Sequence, residues 1–93
     1  MYDRILIQMR EKIRTRQYVM TIHAEEEMTD DNLSIFDVER VVLTGSIVER
    51  QKDQDTAESK YLVEGETIAG NLAVVVAKIG ITGKLLIIPV YAE

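Results

Sequence analysis

The apolar residues of this chain change their spacing at Gly45. Before it they recur every three or four positions, and after it they alternate or run on without interruption. A pattern of helical period does not settle as a strand, nor the reverse. The chain must therefore fold as a helical half followed by a stranded half.

In the helical half, Tyr2, Ile5, Leu6, Met9 and Ile13 form one stripe that faces a core. A short extended stretch, "QYVM", follows. Thr21 is placed to cap a second helix over roughly Ile22 to Thr29, with Glu25 and Glu26 near its positive end, where carboxylates are favoured. "DDNLSIFDVERVVLTGS" carries the clearest helix signal. Ser34 with Asp37 three residues on is a capping-box pattern, Ile35, Val38, Val41 and Val42 make the buried stripe, and Gly45 suits a left-handed C-terminal cap.

In the stranded half, "SIVERQ" and "SKYLVE" flank the polar loop "KDQDTAE". "NLAVVVAKI" is apolar on both faces, as a central strand is, and "KLLIIPVY" closes the chain. Gly65, Gly70, Gly80 and Gly83 read as turn residues. Pro89 has no N–H to donate, which puts its end of the last strand at an edge or a bulge. The connections are too short for crossover helices, so the strands should run antiparallel. The expectation is a single α+β domain over residues 1–93, with three N-terminal helices packed on a four-stranded antiparallel sheet.

Composition narrows the function classes. There is no cysteine, which removes disulfides and thiolate metal sites. The longest apolar runs are too short to cross a membrane, and the charged N-terminus lacks the apolar segment of a signal peptide. A soluble, cytoplasmic protein without a membrane partner is expected. The net charge is −5, but residues 1–18 hold five basic against two acidic side chains, or +3, which leaves −8 for the rest. An acidic body repels a phosphate backbone, so only the first helix leaves nucleic-acid binding open, and its cations read more simply as a solvated helix face.

The one histidine, His23, lies in "YVMTIHAEEEM". It is the natural proton carrier, and Glu27, four residues on, shares its helical face and could orient the ring. The competing structural reading has His23 hydrogen-bonded near the helix start with Glu27 as a surface partner. No metal or cofactor is expected. His23 with Glu26 or Glu27 offers at most two ligands where a catalytic zinc uses three. "KDQDTAE" lacks the glycine and closing glutamate of a calcium loop.

In their order, "TIHAEEEM", "LSIFDVERVVLTGSIVE", "YLVEG", "NLAVVVAKI" and "LLIIPVY" resemble the DUF4258 family, a domain of unknown function, over about residues 18–92. The family is in turn similar to the RelE-like toxin ribonucleases and the wider barnase–colicin–RelE fold. That kinship implies helices on one sheet face, RNA met on the open face, and metal-independent cleavage in which the ribose 2′-hydroxyl attacks. His23 matches the family's first histidine, and Tyr91 matches the closing tyrosine. The family arginine is Glu27 here, the family's second histidine falls at Ala73, and its threonine falls at Pro89.

The expected function is therefore a catalytically degraded relative of such toxins that acts through protein–protein interaction. The alternatives are an active ribonuclease using His23, Glu27, Lys60 and Tyr91, and a structural or regulatory module with no nucleic-acid partner. Lys60, Lys84, Tyr61 and Tyr91 can also be read as strand-end and sheet-margin residues. Both sheet faces look apolar, with Leu72, Val74 and Val76 on one and Ala73, Val75, Ala77 and Ile79 on the other. The face carrying Ala73 and Val75 is expected to meet a second copy of the chain. An antitoxin-like protein is a further expected partner, and RNA is one only in the ribonuclease reading.

Overall fold

The change of period at Gly45 divides the fold as expected. The computed structural model describes residues 2–52 and 58–93. The elements are α1 (Asp3–Arg14), β1 (Tyr18–Met20), α2 (Ile22–Asp30), α3 (Ile35–Thr44), β2 (Ser46–Lys52), β3 (Ser59–Glu66), β4 (Leu72–Ile79) and β5 (Leu85–Ala92). Of the polar loop "KDQDTAE", residues 53–57 lie outside the described residues. No helix of the described residues is long and apolar enough to cross a membrane.

Both expected caps form. Thr21 Oγ1 accepts from the Ala24 N–H at 3.1 Å. Ser34 and Asp37 close the capping box: the Ser34 hydroxyl accepts from the Asp37 N–H, and the Asp37 carboxylate accepts from the Ser34 N–H at 2.8 Å.

The sheet differs from the expectation. It has five strands rather than four, in the order β1-β5-β4-β3-β2, and it is mixed rather than purely antiparallel. The short stretch "QYVM" is an edge strand that pairs parallel with β5 over Tyr18–Leu85, Val19–Leu86 and Met20–Ile87. Three residues are too few to give a period, so only tertiary pairing reveals the strand. The other four strands form the expected antiparallel meander.

Two glycines also depart from their expected roles. Gly45 has φ −85°, so it is no left-handed cap. Gly65 ends no strand and lies inside β3. Both are small because α3 meets β3 backbone to backbone. A Cβ on Gly45 would stand 2.3 Å from the Glu64 carbonyl oxygen, and one on Gly65 would stand 2.9 Å from that of Val41.

Pro89 lies at a bulge, one of its two expected places. Val75 pairs with Val90 and Ala77 with Ile87, so Val76 alone faces both Ile88 and Pro89. The bulge reverses the alternation of β5. Leu85, Ile87 and Val90 point to the helices, and Leu86, Ile88 and Tyr91 point away.

All three helices pack on one side of the sheet. Their buried residues, Met9, Ile13, Ala24, Met28, Val38, Val41 and Val42, join Val63, Ala73, Val75, Ala77, Leu85, Ile87 and Val90 in one core. This corrects the expected partner face. The row of Ala73 and Val75 lies under the helices, and the uncovered face carries Leu62, Val74, Val76, Leu86 and Ile88 instead.

Candidate functional site

Helix α2 presents the histidine. Ala24 and Met28 are its buried residues, and His23 and Glu27 flank them one position earlier in each turn. His23 Nε2 stands 2.7 Å from Glu27 Oε1, with side-chain exposures of 66% and 28%. The pair has the expected geometry. A carboxylate that accepts from an imidazole N–H orients the ring and leaves its other nitrogen for a proton. The two ends of α2 also seal the edge of β5 beyond β1. Thr21 Oγ1 donates to the Ile88 carbonyl at 2.7 Å, and Asp31 Oδ2 accepts from the Ala92 N–H at 3.0 Å.

The other candidates do not assemble into one cluster. Lys60 and Tyr91 lie on the open sheet face, away from the helix layer. By register, Lys60 stands opposite Lys78, and Tyr91 pairs with Val74. Two strand spacings and four residues of strand length separate them, roughly 16 Å between backbones. Lys84 is exposed in the turn before β5. Ala73, where the family resemblance would place a second histidine, is 1% exposed within the core.

Several polar contacts escaped the sequence pattern because their partners lie far apart in the chain. Arg10 donates from Nε to the Val42 carbonyl at 3.1 Å and from Nη2 to that of Gly45 at 2.8 Å. It satisfies the end of α3, where a cation is favoured, and so is not one of the solvated cations expected of the first helix. Tyr18 donates from its hydroxyl to Glu39 at 2.5 Å. Burial, then this hydrogen bond, pushes the Tyr18 phenol up to about 12. Arg16, Tyr18, Ile35, Phe36 and Glu39 border an open cleft of about 440 Å³. The tyrosine–glutamate contact there ties β1 to α3.

The uncovered sheet face is continuous across the strands. Leu62, Val76 and Ile88 cross its middle, with Val74, Leu86 and Val19 beside them. Lys60 and Lys78 stand toward one end, and Lys78 is held by Glu58 at 2.6 Å. Glu64, Glu66 and Glu93 stand toward the other. Among the described residues no group of three histidine, cysteine or acidic side chains could hold a metal ion.

No curated protein and no solved structure matches the chain. Residues 20–92 match the family described as a domain of unknown function, DUF4258. The match takes in the last residue of β1, α2, α3 and the whole antiparallel meander, so it embraces both the His23–Glu27 pair and most of the uncovered face. The chain belongs to the DUF4258 family.

Proposed function

We propose that this domain is a relative of the RelE-like ribonuclease toxins that has lost catalysis and acts by binding protein. The observation that carries this reading is the state of the positions where chemistry would be needed. The family arginine is Glu27, whose carboxylate is turned to His23 and would repel a phosphate. The second family histidine is Ala73, a methyl group inside the core that can carry no proton. The face on which such a nuclease would meet RNA has an apolar middle, three glutamates at one end and two lysines at the other, one of them already paired to Glu58. RNA-binding surfaces are rich in lysine, arginine and stacking rings, whereas protein interfaces have apolar centres with polar rims.

The test is direct. Purified protein incubated with single-stranded RNA should leave it intact, and expression of the domain alone should be tolerated by the host. One observation favours a second reading, an active metal-independent ribonuclease. His23 is exposed and oriented by a carboxylate, as a general base would be. RNA cleavage that disappears in His23→Ala would overturn the first reading in favour of the second.

A further inference from the structure

We propose that the uncovered sheet face is a twofold self-association surface, on which Lys60 of each copy meets Glu64 of the other. This deepens the protein-binding reading by naming the partner as a second copy of the chain.

The face is built in rows across the strands. The middle row holds Glu49, Leu62, Val76 and the bulged pair Ile88 and Pro89. One row to one side holds Gln51, Lys60, Lys78, Leu86 and Val19. One row to the other side holds Glu64, Val74 and Tyr91. Adjacent rows are two residues, about 7 Å, apart.

Two copies stacked face to face are related by a twofold axis lying between the sheets. If the axis ran along the strands, each basic end would lie over a basic end. If it runs across them through the middle row, the flanking rows exchange. Leu62, Val76 and Ile88 then meet their own counterparts, as does the exposed Glu49 at the sheet edge, which Gln51 already hydrogen-bonds. Leu86 meets Tyr91, and Lys60 of β3 comes over Glu64 of β3 in the other copy. Charge selects the second axis.

Among the described residues neither partner of that contact forms an ion pair, while Lys78 beside Lys60 is held by Glu58. At the other end, Glu64 stands against a second acid. The hydrogen bond with Glu64, then burial, then repulsion between the two carboxyls holds Glu93 above its usual range. A cation supplied from outside relieves that crowding. An apolar centre flanked by separated opposite charges is the self-complementary pattern that an isologous interface requires.

The experiment is a charge exchange read by sedimentation over about 1 to 100 µM, the range in which modest interfaces form. The wild-type chain should be a dimer at the upper end. Lys60→Glu places two acids at each contact and Glu64→Lys two lysines, so each variant should dimerise about tenfold more weakly or worse. Mixing the two variants in equal amounts should restore the dimer, because each contact then pairs one lysine with one glutamate. Circular dichroism checks that both variants are folded, and Leu62→Lys supplies an independent break in the middle row. A wild-type monomer throughout would overturn the proposal, as would a dimer indifferent to all three substitutions or a mixture that stays monomeric. A monomer that also leaves RNA intact sinks the self-association and spares the protein-binding reading. RNA cleavage sinks the latter whatever the oligomeric state.

Discussion

Asp37 gathers three donors on one carboxylate: the Ser34 N–H at 2.8 Å, the Ser34 hydroxyl at 3.1 Å and the Ile68 N–H at 2.9 Å. The first two are local, and the spacing Ser-x-x-Asp announces them. The third spans 31 residues and ties α3 to the β3–β4 turn, and no sequence pattern could announce it. Ser34→Ala should therefore cost about 1 kcal/mol, and Asp37→Ala about 2 kcal/mol, because the second variant also releases the turn. Chemical denaturation would separate the two, and equal losses would show that the Ile68 contact contributes nothing. The same donors, the Ser34 N–H first and the Ile68 N–H second, hold the Asp37 carboxyl below its usual range. The unfolded chain then takes up the proton first as pH falls, so this stability is present above about pH 4 and is lost on further acidification. Tyr18 has the opposite sign. Its phenol ionises at about 12 in the fold against 10 unfolded, so the unfolded chain loses its proton first and stability falls as pH rises through that window. Absorbance titration should show a late-ionising step that Tyr18→Phe abolishes.

At the scale of elements, legibility followed locality. The helix N-caps, the buried stripes and the four-strand meander rest on residues within a few positions of one another, and they stand where the spacing puts them. β1 did not declare itself as a strand, because three residues paired to a partner 67 positions away carry no period of their own. The parity of β5 was hidden for a related reason. Pro89 signals a bulge or an edge, but only the observed bulge reverses which residues face the core. Gly45 shows how a correct residue can be assigned a wrong cause. Its φ needs no glycine, while the approach of Glu64 and Val41 leaves no room for a methyl group. Gly45→Ala should consequently destabilise the domain by about 2–3 kcal/mol through overpacking at the α3–β3 contact. A left-handed cap would have predicted a penalty rooted in φ instead, which Asn tolerates better than Ala. Here Asn should be at least as damaging as Ala, and a clearly milder Gly45→Asn in thermal melts would refute the close-approach account. The candidate site divides along the same line. The His23–Glu27 pair was legible because one helix carries both, whereas the separation of Lys60 from Tyr91 depends on strand order.

The whole molecule is a sheet with one covered face, and that asymmetry was not readable from β4. "AVVVA" is apolar on both sides, so alternation separates two sets without saying which one the helices take. Packing decides it through volume. Ala73, Val75 and Ala77 present small side chains to the helix layer, which brings Met9, Val38 and Val42 close to the sheet. On the other face Val74 and Val76 are only 3% and 6% exposed although none of the described helices lies over them. The two faces should therefore answer a charge in different ways. Val75→Lys buries an unpaired ammonium in the core and should cost about 4 kcal/mol or more, a large part of the roughly 5–14 kcal/mol available to 93 residues. Leu62→Lys lets its ammonium reach water and should leave the melting temperature of dilute protein nearly unchanged. If the open face joins two copies, association stabilises the folded state by mass action, and the wild-type melting temperature should climb with protein concentration. The Leu62→Lys curve should stay flat with concentration. A Leu62→Lys chain that is unfolded when dilute would mean that this face is covered from within the same chain. A wild-type melting temperature that does not move with concentration would mean that nothing joins there.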